Sequence, residues 1–471
     1  MLEQLEVDLD IEDLLQAADV GSPPRLVRVD ERASHPDAGA RVDHLVAVDL
    51  AVAALDLVLH PERELDRSRS FAHGSDFVPS STVPARLDIC PIFRQWRRRR
   101  SGRRGSARAT PASGLRGGRV RLGRPVTRRL LFGSLALAPV VILLGYFADL
   151  SDTANFVLSA LALVPLAWII GEATDHAAEH TGAGVGGFLN ATFGNAPELI
   201  IALLAVNKGL PEVVRGSLTG SVVSNLLLVL GASLLAGGRG RVDRFSSFLS
   251  LGLVGLATAL FLIPAVPGWH GEPNRHSLAV LSVPVSAFLL VVYVLVTWYS
   301  LRRHRALQSH DDEAALGAWS LSRSLVVLGV ATVATALVAE ILVGSLEPFA
   351  EKVGLSDFFV AAVIVAIVGN AAEHGGAVLV AHRGKISLAA EIALSSAAQV
   401  AVFLIPAVAI LSWLIEPLAL SFRPVELATL GGSVAVAALV LADGRSSRPR
   451  GAALVASYAV AVVAFYVAGS R

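Results

Sequence analysis

The sequence predicts an all-α polytopic membrane protein with about eleven transmembrane helices, one extra helix followed by two inverted repeats of five. Three observations predict this class. The 471 residues are 54% hydrophobic, with a mean hydropathy of +0.60, whereas soluble domains are nearer ~45–50% apolar. Apolar runs long enough to cross about 30 Å of hydrocarbon follow one another from Leu130 onward. One polar motif occurs twice, in the middle of two such runs.

Residues 1–125 differ from the rest of the chain. They combine acidic stretches with the arginine tract RQWRRRRSGRRGSARA and contain no long apolar run. The acidic first residues lack the apolar core of a secretory signal peptide. Three interpretations stay open: a disordered tail, an arm that binds nucleic acid or anionic lipid, and an upstream extension from a mis-assigned start. We favour the last, in which the native protein starts later, at a valine codon.

The transmembrane region divides into an extra helix over 126–149, a first repeat over 150–300, a cytoplasmic linker over 301–322 and a second repeat over 323–471. The apolar runs within it predict eleven spans, at about 130–149, 153–174, 186–206, 214–236, 246–266, 277–300, 323–345, 356–381, 387–413, 424–442 and 451–468.

The basic residues predict how these spans are oriented. They precede the first span and follow the fourth, sixth, eighth and tenth: Arg128, Arg129, Arg239, Arg241, Arg244, Arg302, Arg303, Arg305, Arg383, Lys385, Arg445, Arg448 and Arg450. Because cytoplasmic loops carry the excess of Lys and Arg, the pattern predicts a cytoplasmic N-terminus and a C-terminus outside.

The repeated motif reads FGNAPELI from Phe193 and VGNAAEHG from Val368. Asn195 and Asn370 are 175 residues apart, and so are Glu198 and Glu373. Extended at that offset without a gap, the correspondence defines a unit of five spans. An odd number of spans inverts the second copy, and inverted repeats with broken helices are typical of secondary transporters.

Each copy places Asn and Glu three residues apart, on one face of a helix. A carboxylate near the bilayer centre costs at least ~2.5 kcal/mol and should face a partner. We expect the two copies to face each other, so that Glu198 and Glu373 converge with Asn195 and Asn370. Such an oxygen-only site suits a hard divalent cation, above all Ca²⁺. Protons compete for the same carboxylates, which is the minimal chemistry of an antiporter.

Further residues are candidates beside this pair. The next helix of each repeat supplies neutral ligands, or else small residues for packing: Ser221, Ser224, Ser396 and Gln399. His374 replaces Leu199 of the first copy and relays protons, orients Glu373, or only packs. Asp175 and Glu179 gather cations at a cytoplasmic entrance, or form a solvated loop face.

A competing motif predicts a different class of protein. HAAEH, from His176 to His180, matches the H-x-x-E-H pattern of some metallopeptidases, and both histidines share a helix face that suits Zn²⁺. It lies at the end of a predicted span without an obvious third ligand. We therefore predict that the protein is not an enzyme.

The two motifs with their following segments, GSVVSNLLLVLG and SSAAQVAVFLIP, resemble the signature repeats of the Ca²⁺/H⁺ exchangers of the cation/Ca²⁺ exchanger superfamily. The resemblance runs from about Asp149 to the C-terminus; Ser395 departs from it, where the family usually has glycine. It implies a proton-driven Ca²⁺ antiporter of a bacterial plasma membrane, with Glu198 and Glu373 as the central ligands. Ca²⁺ is then substrate, and neither a cofactor nor a nucleic-acid partner is expected. A Na⁺-coupled or broader-specificity exchanger is the alternative.

Overall fold

The computed structural model describes residues 132–305 and 319–469. The predicted extension over 1–125, with its three interpretations, lies outside the described residues, as does most of the predicted linker over 301–322. The domain boundaries stay predictions.

The first half of the described chain is helical from its first residues. Its elements are α1 (Leu137–Phe147), α2 (Asp152–Phe193), α3 (Ala196–Asn207), α4 (Pro211–Val223), a π-helical segment (Ser224–Val229), α5 (Leu230–Gly237), β1 (Gly240–Arg241), α6 (Arg244–Gly268) and α7 (His276–Arg305).

The second half has a similar order. Its elements are α8 (Leu321–Gly344), α9 (Leu346–Val353), α10 (Asp357–Phe359), a π-helical segment (Val360–Val365), α11 (Ala366–Gly369), α12 (Ala371–His382), α13 (Ile386–Gln399), a π-helical segment (Val400–Leu404), α14 (Ile405–Leu411), a 3-10 turn (Ser412–Leu414), α15 (Pro424–Leu441), β2 (Arg445–Ser446) and α16 (Arg448–Gly469).

These helices make the protein an integral, multi-pass membrane protein. Within the described residues, eight helical segments are long and apolar enough to cross a bilayer, and the bent pair of α9 with α10–α11 makes up to nine. Two shorter apolar helices, Phe132–Phe147 and α3, accompany them. The predicted class, a mostly helical polytopic membrane protein, is confirmed, and the count of eleven spans and the layout of two inverted repeats stay predictions.

One predicted boundary is wrong. We expected a loop between the second and third spans, around Asp175 and Glu179, but α2 runs without interruption from Asp152 to Phe193. The segment DHAAEH contains three good helix formers, two alanines and a glutamate, and no glycine or proline, so it favours a helix where we expected a loop. The helix then continues through TGAGVGG despite the low helix propensity of four glycines, and it ends before Gly194 and Asn195.

Two glycines allow the halves to approach each other closely. A Cβ added at Gly220 in α4 would overlap the backbone carbonyl of Ala362, and one at Gly216 would lie 3.0 Å from the carbonyl oxygen of Phe358. Small residues four apart permit this kind of close helix contact in membranes. The contact holds α4 of the first half against the helix that leads to the second repeated motif.

The loops gather at two opposite ends. At one end, the loop after α5 pairs with the loop after α15 in a two-stranded antiparallel ribbon, and Asp243 is bonded to Ser387 at the start of α13. At the other end, Trp269 donates to the carbonyl of Phe422 and Arg423 pairs with Glu212. Which of the two ends faces the cytoplasm stays a prediction.

Candidate functional site

Both repeated motifs interrupt a helix at asparagine. Asn195 and Asn370 are the N-caps of α3 and α12, with φ/ψ of −102°/17° and −92°/8°. Glu198 and Glu373 each occupy the third position of the helix that follows. Each carboxylate therefore lies in the first turn of a helix, where the backbone amides present a partial positive charge. The sequence motif thus specifies the same local geometry twice.

The two asparagine side chains reach across to the other half. An N-cap asparagine ordinarily bonds the amides of its own helix, but neither makes such a capping bond here. Instead, Asn370 Nδ2 donates to Ser221 Oγ at 2.9 Å, and Asn195 Nδ2 donates to Gln399 Oε1 at 3.2 Å. The predicted convergence of the motifs is therefore present in the structure, through the predicted residues Ser221 and Gln399.

The two glutamates lie in the same region and interact with each other. Glu198 is 8% exposed, and a Cβ added at Gly369 of the other half would lie 3.4 Å from its Cγ and Oε1. Glu198 also lines a cavity of about 10 Å³ with Ser221 and Gly369, room for about one water molecule. The carboxylates are close enough to interact electrostatically. Oε2 of each is buried without a hydrogen-bond partner among the described residues.

Ser396 and Ser224 have different surroundings. Ser396 is buried and interacts with the Glu373 carboxylate, and its role as a ligand stays a prediction. Ser224 is fully buried but donates to the carbonyl of Ser221 in its own helix. The Ser224 hydroxyl is therefore bonded within its own helix rather than to the carboxylates.

Asn225 belongs to the site and was missed by the sequence analysis. It is 1% exposed, and its Nδ2 donates to Ser396 Oγ at 3.0 Å. Comparing the repeats does not reveal it, because its counterpart at the 175-residue offset is Val400. The available signal was its spacing of four from Ser221, which places both on one helix face.

His374 follows Glu373 in α12 and is half-buried. Its Nε2 is buried without a hydrogen-bond partner among the residues described. The position fits a role beside Glu373, and the choice between relay, orientation and packing stays a prediction.

Asp175 and Glu179 lie on an exposed stretch of α2. Asp175 interacts electrostatically with Glu373 and with both Glu172 and Glu179. Asp175 and Glu179 are therefore exposed acidic residues, and Asp175 is near enough to Glu373 to interact with it. This placement fits an entrance for cations, on a helix rather than a loop.

The histidines of HAAEH are turned to other partners. The His176 ring packs against the Trp319 ring, with centroids 5.0 Å apart and a tilt of 31°, and His176 Nδ1 lies 3.5 Å from Glu179 Oε2. His180 Nε2 contacts the Trp319 carbonyl at 2.6 Å. No group of three His, Cys, Asp or Glu residues that could hold a metal occurs in the described part of the chain. The motif therefore packs α2 against the start of α8.

A second buried polar cluster was also missed. Arg215 in α4 is 2% exposed and donates to Asn274 Oδ1 at 2.9 Å and to the Ala419 carbonyl at 3.3 Å. Glu426 in α15 is 1% exposed, interacts electrostatically with Arg215 and accepts from Thr219 at 3.4 Å. The cluster joins loops of both halves at the end opposite to the ribbon.

A helical membrane protein with carboxylates and amides at two facing helix breaks has the architecture of an ion exchanger. Residues 151–302 and 323–467 match the sodium/calcium exchanger protein family, and this chain belongs to that family. This match confirms the family that the two motifs indicated.

Relatives of this chain have similar names. A Ca²⁺/H⁺ antiporter of Aphanothece halophytica is 36% identical over 364 residues, which are 72% of this chain and 96% of the relative. The Ca²⁺/H⁺ antiporter ChaA of Bacillus subtilis is 34% identical over 72% of this chain and 99% of its own length. The vacuolar calcium ion transporter of Schizosaccharomyces pombe is 36% identical over 70% of this chain and 83% of that protein.

Solved structures agree with this family. Native YfkE matches with a TM-score of 0.62 and 32% identity, over 72% of this chain and 99% of that one. The H⁺/Ca²⁺ exchanger CAX has a TM-score of 0.57 at 16% identity, over 73% of this chain and 93% of that one, and supports the fold alone.

Proposed function

We propose that this protein is a secondary antiporter that exchanges Ca²⁺ for H⁺ across a membrane by alternating access. The observation that carries the proposal is the pair Glu198 and Glu373, which lie at two facing helix breaks with a buried oxygen each that no described residue satisfies. A cation or a proton supplies the missing partner. Relatives named Ca²⁺/H⁺ antiporters, at 34–36% identity, support Ca²⁺ as the substrate.

The donor set supports a hard cation. The carboxylates, asparagine amides, serine hydroxyls and Gln399 offer oxygen ligands of the kind that Ca²⁺ prefers. Two carboxylates match the charge of one divalent ion or two protons, so that loading either leaves the site neutral. We propose no resident cofactor, since Ca²⁺ is cargo here.

The proposed transport cycle uses the two halves as inverted repeats. In this proposal eleven spans cross the membrane, the N-terminus is cytoplasmic, the C-terminus is outside, and the protein lies in a bacterial plasma membrane. Asp175 and Glu179 attract Ca²⁺ at the cytoplasmic entrance, and His374 assists Glu373. The grouping of the loops at two ends supports the proposed topology.

The test is uptake of radioactive ⁴⁵Ca²⁺ into inside-out vesicles that contain the protein. We expect an imposed pH gradient, acidic inside, to drive uptake without Na⁺, and a protonophore with a potential clamp to abolish it. Vesicles without the protein are the control. Uptake that ignores the pH gradient but follows a Na⁺ gradient would overturn the proposal in favour of Na⁺ coupling.

A further inference from the structure

An arginine-lined groove lies at the end of the protein that carries the ribbon. Its volume is about 550 Å³, and four arginines line it: Arg239, Arg241, Arg445 and Arg450. Asp443 is the single carboxylate among the lining residues. The groove is separate from the site at the helix breaks and has no part in the proposed exchange.

The ribbon brings like charges together. Arg241 of β1 and Arg445 of β2 are direct partners in the antiparallel register, and both side chains are exposed. Like charges directly opposite each other destabilise a strand pair. The ribbon nevertheless forms, with Val242 bonded to the Gly444 carbonyl at 2.9 Å and Ser446 Oγ to the Gly238 carbonyl at 2.9 Å.

Asp443 offsets only part of this charge. Both its oxygens are bonded to the Arg450 guanidinium, Oδ1 at 2.5 Å and Oδ2 at 2.8 Å, and Oδ1 also accepts from the Arg445 backbone amide at 3.0 Å. Those hydrogen bonds hold the pKa of Asp443 below its usual range, so it stays charged. With this one carboxylate against four arginines, the groove keeps a surplus of positive charge.

The ends of the surrounding spans indicate where the groove lies relative to the membrane. Candidate spans end at Gly237 and Leu441 and begin at Arg244 and Arg448. The ribbon occupies the short loops between them, so its arginines lie at the boundary of the hydrocarbon, at the level of lipid headgroups. Arginine binds phosphate oxygens through two parallel hydrogen bonds.

We propose that this groove binds a phosphate-bearing anion, supplied as the headgroup of an anionic phospholipid, between Arg241 and Arg445. The bound phosphate relieves the repulsion across the ribbon and so fastens the loop of one half to the loop of the other. Basic residues at the membrane surface attract anionic headgroups, and the level of the groove favours a lipid over a soluble anion.

The test is lipid binding to the full-length protein in neutral detergent, followed by native mass spectrometry. Dioleoylphosphatidylglycerol and dioleoylphosphatidylcholine are titrated separately, and inorganic phosphate is added as a competitor. We expect phosphatidylglycerol to bind in preference to phosphatidylcholine and to resist displacement by millimolar phosphate. The double variant Arg241→Gln with Arg445→Gln should weaken phosphatidylglycerol binding about 30-fold.

The matched control is Arg383→Gln with Lys385→Gln, which removes two exposed charges by the same end but outside the groove. It should change the affinity less than about threefold. Equal weakening in both double variants, or equal binding of the two lipids, would overturn the site. Full displacement by inorganic phosphate would contradict the proposal that the bound phosphate belongs to a lipid.

A melting experiment separates ligand binding from misfolding. Because the groove variant removes a like-charge pair, it should melt in lipid-free detergent at the same or a higher temperature than the unmodified protein. It should then lose the stabilisation that phosphatidylglycerol gives the unmodified protein. A variant that melts lower without lipid and keeps the lipid-induced shift would contradict the proposal.

Discussion

The two repeated motifs share a backbone but differ in their surroundings. Glu198 is closed in by Gly369 and a cavity of about 10 Å³. Glu373 is half-buried, and the residues after it, Gly375 and Gly376, are exposed. The site is therefore more open beside α12 than beside α3. A nearly symmetric motif becomes two unequal environments because each copy packs against different neighbours.

A second difference lies in the helix that follows each motif. In the first half, Gly220 lets α4 pack directly on the backbone of Ala362. Its counterpart in the second half is Ser395, whose hydroxyl donates to Ile392 in its own helix. Asn225 has the apolar counterpart Val400, and the Arg215–Glu426 pair has the apolar counterparts Ala390 and Leu251. The two motifs are thus alike, but several polar residues around them have apolar counterparts in the other half.

The largest expected effect tests whether both carboxylates are needed despite their different exposure. Glu198→Gln and Glu373→Gln should each reduce pH-driven ⁴⁵Ca²⁺ uptake at least about 100-fold, because removing one of two buried charges costs about 3–5 kcal/mol of cation binding. Glu391→Gln, an exposed glutamate in α13, should leave uptake unchanged. Full uptake by either site variant would show that the two halves do not form one site.

The buried cluster around Arg215 tests the one-sided contact at the far end. Arg215→Ala should lower the free energy of unfolding by about 1–3 kcal/mol, because Asn274 Oδ1 and the Ala419 carbonyl lose their donor and the buried Glu426 loses a nearby positive charge. The double variant with Glu426→Leu, which copies the apolar counterparts, should recover the part of that loss that comes from Glu426. Unfolding in mixed micelles measures both values. A double variant no more stable than Arg215→Ala would argue against the pair as the cause.

Valine introduced at two equivalent positions tests the close contact at Gly220. Gly220→Val should be less stable than Ser395→Val by about 1–3 kcal/mol, since only the first pushes a side chain into a facing backbone. Unfolding in mixed micelles again provides the measurement. Equal losses at the two positions would mean that the halves pack alike.

The smallest expected effect concerns Asn225. Asn225→Val copies Val400 and leaves Ser396 without its donor, which should weaken the apparent Ca²⁺ affinity about five- to tenfold. Ser224→Ala is the matched control, because that hydroxyl donates within its own helix, and it should change the affinity less than about threefold. An unchanged affinity in Asn225→Val would remove Asn225 from the site.

Much of the candidate site could be predicted because its signal is local. Gly194 and Pro197 weaken the helix at the first motif and Gly369 does so at the second, and a glutamate beside such a break is costly in a membrane unless it has a partner. The boundary near Asp175 was wrong for the converse reason. Charged residues suggested a loop, whereas the alanines and the glutamate of DHAAEH favour a helix there, and α2 continues beyond them to Phe193.

The sequence by itself determined the class of protein, the two helix breaks and the two carboxylates, since hydropathy and a repeated motif are properties of neighbouring residues. Only the tertiary structure decided which groups meet across the halves: Asn370 with Ser221, Asn225 with Ser396, Arg215 with Glu426 and Arg241 with Arg445. These partners are 149 to 211 residues apart. No local pattern encodes such pairs, because packing and charge select them only after the helices have assembled.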